Sequence, residues 1–426
     1  MITPAIPRRL PHALDALGLR EFRLLWFSSW LGYVARWMEI IVTADLVYRM
    51  TGSPFLTAVV GFCRSIPTVA LGLFAGILAD KVDRKRLLLA VQGVNLAVIG
   101  VLAVLALTET IALWQVILIT LTMGVGWVSD YPSRRSLVLD IVGRERITNA
   151  IALDASAMVG SKMAGPALGG LLIWLVGAGG AFAVMAACYL GSLALLSLLR
   201  PPPVRGARAP RQPVFSALVE GMRYARSRPV LWGALLVTVV ANLFIFPYIV
   251  LVPVLARDVL GVGPVLMGLL GAAEGMGSLV GTLFVASLGN ITRHGRVFAF
   301  GTLAAAVSLS VFGFSHWYPL SLALLLATGV CLAGFASMQS TIFLLGSPDH
   351  LRGRVFGTLM LAIGMNPVGM LYLGFLSSHF GAANGVATNA LTAVALMLVV
   401  LALVSPLWRE PTAPPSRVSG QQGTSS

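Results

Sequence analysis

The chain has 426 residues, 57% of them hydrophobic and only 11% charged, and a mean hydropathy of +0.88. A soluble fold with so few charges would expose large apolar patches, so the composition excludes a water-soluble globule, a disordered chain and a disulfide scaffold. The net charge of +14 points to nucleic acid only until the charges are placed along the chain.

A membrane-spanning helix needs about 20 mainly apolar residues. In chain order, the apolar runs predict helices at 24–48, 55–79, 87–107, 111–133, 148–176, 180–199, 231–256, 264–288, 296–314, 318–343, 355–379 and 383–407. The longest runs are divided at turn signals such as Gly177-Ala178-Gly179-Gly180, Ser315-His316-Trp317-Tyr318-Pro319 and Gly381-Ala382-Ala383-Asn384. The first run is longer than a leader's apolar core, so no cleavable leader is expected. The expected fold is an all-α membrane protein of twelve transmembrane helices in two pseudo-symmetric six-helix bundles. The expected divisions are an N-terminal cytoplasmic segment at 1–23, a bundle at 24–199, an Arg/Pro-rich linker at 200–230, a second bundle at 231–408 and a disordered tail at 409–426. The halves echo one another weakly, Gly76–Arg86 over Ala286–Arg296 and Gly165-Pro166 near Asn366-Pro367. Repeated halves with a site between them are a carrier's pattern.

With the N-terminus inside, 25 of the 30 Lys and Arg fall on the cytoplasmic side and only Arg49 and Arg257 outside. The positive-inside rule then puts both termini in the cytoplasm and accounts for the basic charge without nucleic acid. Cys63, Cys188 and Cys331 lie in apolar segments, and no Cys/His spacing suits a metal, so neither metal nor cofactor is expected.

Gly76-Ile-Leu-Ala-Asp80-Lys-Val-Asp83-Arg84-Lys85-Arg86 lies between the second and third spans. The string resembles motif A of the major facilitator superfamily, with Gly76, Asp80, Arg84 and Lys85 at its positions. Asp83 stands where that family often has Gly, as in the enterobactin-exporter and macrolide-efflux branch, which Phe22–Trp26 and Leu46–Pro54 also resemble. The resemblance implies a cytoplasmic latch between the halves. Asp80 is expected at the helix terminus near Val355, and Arg84 on Asp130. Span 5 carries Gly160, Gly165, Pro166 and Gly169, a partial likeness to motif C of exporting antiporters and a place for the helix to bend and pack closely.

Charges inside the bilayer are costly and so mark function or fold-setting ion pairs. Arg36 and Glu39 in span 1 could neutralise one another or flank a cavity; Arg64 lies in span 2, Asp154 and Lys162 in span 5, and Glu274 in span 8. Asp154 and Lys162 stand about 12 Å apart along their helix, too far to pair directly. Glu274 reads as an isolated carboxylate suited to proton binding. These six are the candidate coupling and cavity residues. Asp45, four residues before Arg49, reads as a surface pair.

The expected function is proton-coupled export, by alternating access in a plasma membrane, of a small hydrophobic organic compound such as a drug, macrolide or siderophore. The expected partners are that substrate, protons and membrane lipids, with the chain a monomer. The same fold could instead import or passively transport a nutrient, organic anion or lipid precursor; a non-transporting sensor or a membrane enzyme is the distant alternative.

Overall fold

The computed structural model describes residues 12–81, 83–143, 146–200, 214–287, 291–348 and 350–409, the side chains of 12–14, 73–81 and 214–215 excepted. Among the described residues there is no β-strand.

A short 3-10 turn, His12–Gly18, leads into α1, Arg20–Thr51. Gly52, at φ 63°, ends α1 in the left-handed region and donates its N–H to the Tyr48 carbonyl. Then follow α2, Pro54–Lys81, α3, Arg84–Leu107, and α4, Leu113–Val142. Asp83 caps α3 by accepting the Arg86 N–H at 2.9 Å, which gives the departure from the motif A glycine a structural use. The 52-residue α5, Ile147–Leu198, is two spans joined without a loop: Gly177 (φ 71°, ψ −179°) turns the chain where the glycine cluster predicts.

The interval expected as linker contains a helix, α6, Val214–Ser227. Its Gly221 lies so close to the Arg354 carbonyl that a Cβ would overlap it. Apolar residues at Leu218, Met222 and Ala225 recur at helical spacing, a signal masked by the surrounding arginines.

The seventh span, Pro229–Val259, is not one regular helix. It runs as α7, Pro229–Val240, a π turn at Ala241–Ile245, a 3-10 segment at Phe246–Leu251, α8, Val252–Val254, and a second π turn at Leu255–Val259. Pro247 and Pro253 break the ladder because each lacks an N–H and crowds the carbonyl four residues back. Side-chain amides cover backbone carbonyls there: Asn389 donates to Phe244 O at 2.7 Å and Asn366 to Asn242 O at 3.4 Å.

The chain continues as α9, Pro264–Ser287, α10, His294–Gly313, and α11, Tyr318–Gly346. The eleventh span is α12, Arg352–Ile363, and α13, Asn366–Phe380, parted ahead of Pro367. It is followed by α14, Ala382–Leu403, and the short α15, Pro406–Arg409.

Among the described residues, ten stretches meet the length and hydropathy of a span. The charge-rich α1 and the second arm of α5 bring the spans to twelve, in two bundles of six. Packing repeats between the bundles: α2 lies on α4 as α9 lies on α11, and α3 on α4 and α5 as α10 lies on α11 and α14. Leu107, Trp174, Leu283 and Leu403 point outward, as lipid-facing side chains do. The bundles meet where α5 lies on α9 and α2 on α13.

Candidate functional site

The seam between α5 and α9 is built from glycine. A Cβ at Gly170 would overlap the Pro264 carbonyl oxygen, and one at Gly268 would come within 2.6 Å of Pro166 O. On the other face of α5, a Cβ at Gly165 would stand 2.5 Å from the Trp37 Cβ, and Gly169 faces Met38. Pro166 and its glycines thus hold α5 against α1 and α9 at once, while Gly160 has nothing within 4 Å of a Cβ. Far from the basic loops the halves also touch where Tyr48 of α1 donates to Asp258 of the seventh span, and where Gly374 of α13 meets Ala58 of α2. Asp45 pairs with Arg49 at 2.7 Å nearby, with Asp45 itself buried.

Further along the seam, Lys162 of α5 meets Glu274 of α9 at 2.6 Å, and Tyr248 of the seventh span donates to the other Glu274 oxygen at 2.7 Å. The ammonium also lies 5.4 Å from the Trp37 ring centroid. Glu274 is therefore not the isolated carboxylate the sequence suggested. Its partner, on another helix and 112 positions away, is invisible to any local pattern.

Inside the first half, Glu39 pairs with Arg64 at 2.7 Å rather than with Arg36. Arg64 also donates to the Arg36 backbone carbonyl at 3.1 Å. The Arg36 guanidinium instead lies over the Trp127 ring, 3.7 Å from its centroid. A cavity of about 40 Å³, room for water, borders Glu39 and Arg64 on one side and Val250 and Met370 of the second half on the other.

Asp130 is engaged by Arg134 at 2.8 Å and by the Gln92 amide at 2.8 Å, not by Arg84 as expected. Arg134 is 1% exposed and also donates to Ser28 and Ser29. The sequence placed Arg134 in a loop because α4 was expected to end at 133; the helix continues to Val142. Arg84 pairs with Asp140, ten residues and about 15 Å further along α4 than Asp130, which puts Asp130 beyond its reach. Lys85 donates to Ser197 O at 3.0 Å. Asp154 stands 4.0 Å from Arg135, at the outer limit of a pair. Gly76 and Asp80 fall at 73–82, where side chains lie outside the described residues.

Two six-span bundles, with buried ion pairs within and between them at the depth of the membrane, define a multi-pass membrane carrier. The chain belongs to the transmembrane secretion effector family of the major facilitator superfamily, whose match covers residues 12–419. It is 26% identical to the multidrug efflux pump Tap of Mycolicibacterium fortuitum over 82% of this chain and 87% of that one. It is 22% identical to macrolide efflux protein A of Streptococcus pyogenes over 82% and 89% of the two chains, and 28% identical to the enterobactin exporter EntS of Escherichia coli O1:K1 / APEC over 67% and 68%. In fold it is similar to a bacterial homologue of the human lysosomal transporter Spinster in an inward-facing, unoccupied conformation, with a TM-score of 0.73 at 14% identity over 93% of this chain and 98% of that chain. Family and fold point to a transporter rather than an enzyme.

Proposed function

We propose that this chain is a proton-coupled exporter of a small, largely apolar organic compound, working by alternating access in a plasma membrane with both termini in the cytoplasm. The observation that carries this reading is the Lys162–Glu274–Tyr248 cluster across the seam. A buried ion pair holds only while both partners are charged. Protonating Glu274 cancels one charge, removes the electrostatic tie between α5 and α9, and leaves the halves free to part. Deprotonation restores the tie. With the basic loops in the cytoplasm, the glycine-sealed end is the outer one, so the halves are closed outside. The efflux relatives support export as the direction.

The test is the purified protein in liposomes with an internal pH-sensitive dye and an imposed proton gradient, challenged in turn with macrolides, catecholate siderophores and lipophilic cations. A substrate-dependent proton flux that Glu274→Gln abolishes, with substrate binding kept, is the expected result. Substrate crossing with no proton movement, or full coupling in the variant, overturns the proposal.

A further inference from the structure

A cation inside the first half is left without an anionic partner. Glu39 is taken by Arg64, and Asp130 by Arg134 and Gln92. Among the described residues the Arg36 guanidinium makes neither an ion pair nor a hydrogen bond, and it sits where a lone cation costs about 2.5–3.5 kcal/mol to insert. It borders a pocket with Gly32, Tyr33, Gln92, Asn95, Trp127, Tyr189 and the Asp130 carboxylate, whose charge Arg134 balances. Three polar groups on that pocket are also unsatisfied: Tyr33 Oη, Gln92 Oε1 and Asn95 Oδ1 are buried without a hydrogen-bond partner, in residues only 2%, 2% and 7% exposed. A phenol can donate, and an asparagine amide turned by 180° presents its N–H groups instead of its oxygen. Arg36, Tyr33 and a turned Asn95 can thus each donate from the lining of one pocket, while the Gln92 amide, already donating to Asp130, can only accept there.

That space is about 10 Å³, room for a single water-sized group and so for the oxygen of an acid, not for a whole molecule. The remainder of a ligand has to lie outside it, and α4 supplies the surface. Trp127 and Tyr131, one turn apart, are stacked with centroids 5.5 Å apart and 29° between their planes. Arg135, one turn further, lies 5.4 Å from the Tyr131 centroid. Arg36, Trp127, Tyr131 and Arg135 form a ladder of two stacked rings between two guanidiniums, from the unfilled pocket toward the basic end of the bundle. Such a ladder offers aromatic surface to a planar ring and, at Arg36, a guanidinium without an anionic partner to an acid, Arg135 standing 4.0 Å from Asp154.

We infer that this ladder is the substrate track, and that the compound carried is an aromatic acid: a planar ring on Trp127 and Tyr131 with a carboxylate or phenolate held by Arg36, Tyr33 and Asn95. The inference rests on the carrier reading above but not on its proton coupling. It ranks the compound classes left open there, placing aromatic anions above lipophilic cations.

The test is equilibrium binding to the full chain in lipid nanodiscs, without any gradient, using three matched probes: 2-naphthoate, 2-naphthamide and 2-naphthylmethylammonium. The carboxylate is expected to bind at least tenfold more tightly than either the amide or the ammonium. Arg36→Gln should bring naphthoate to the level of the amide while leaving the amide unchanged. Arg36→Lys, which keeps the charge but loses the planar guanidinium over Trp127, should fall between. Trp127→Leu should weaken all three probes. Equal or tighter binding of the ammonium, saturable binding by none of the three, or displacement of naphthoate by equimolar chloride overturns the inference. The wild-type ratio decides the matter even if a variant fails to fold. Naphthoate binding without any proton flux in liposomes would remove the coupling proposal and leave this one standing; proton flux driven by the cation alone would do the reverse.

Discussion

Single buried charges set the terms at the residue scale. Glu39 is 1% and Arg64 9% exposed at the side chain, so removing one partner strands the other in a medium that cannot solvate it. Arg64→Gln is expected to cost about 3–5 kcal/mol, read as a lowered thermal midpoint in detergent, and Glu39→Gln added to it should recover most of the loss. Recovery of none would show that the two side chains act independently. Arg134 gives a second contrast. Its fork reaches Asp130, Ser28 and Ser29 together, a geometry that lysine cannot reproduce. Arg134→Lys should destabilise by about 2 kcal/mol, whereas the same change at the half-exposed Arg135 should stay within about 0.5 kcal/mol. These partners were the least legible part of the sequence. Hydropathy shows that a charge is buried, but the rotation of its helix and the identity of the facing helix decide whom it meets. Arg36 and Glu39, one turn apart on α1, therefore part company to Trp127 and Arg64.

Among the elements, the seventh span departs furthest from expectation. Pro247 and Pro253 were plain in the sequence, yet the alternation of π and 3-10 turns depends on which carbonyls neighbouring amides can reach. Asn389→Leu is expected to leave the Phe244 carbonyl unsatisfied and to cost about 1–3 kcal/mol, measured by thermal unfolding; a neutral outcome would mean that water takes the amide's place. Other elements were legible because their signals are local. The turn at Gly177 falls where four small residues interrupt an apolar run. The span count follows from a one-dimensional quantity, helix length against bilayer thickness. α6 escaped because a basic, Pro-led interval reads as linker even when a helical spacing lies inside it. At the start of α3, Arg84 pairs with Asp140 of the same half. Arg84→Asp should depress transport about tenfold or more with the protein still in the membrane, and adding Asp140→Arg should restore part of it. Full activity in Arg84→Asp would separate this pair from the working cycle.

For the whole molecule, the question is how two bundles close at one end. Where α5 meets α9, backbone touches backbone at Gly170 and Gly268, and a larger residue has nowhere to go. Gly268→Leu should hold that end apart. An Ala58→Cys reporter, placed at a buried site in a background with Cys63, Cys188 and Cys331 changed to serine, should then react with maleimide at least severalfold faster, while substrate transport falls by an order of magnitude or more. Unchanged labelling would mean that α2 and α13 alone hold the closure. The closing surface consists largely of main chain, and main chain is common to every sequence that keeps those glycines. The ladder on α4 and the pocket behind Arg36 lie on other helix faces and consist of side chains. Mutation can therefore redraw what the cavity accepts without disturbing how the halves shut. A closing device made of main chain is in this sense indifferent to the cargo.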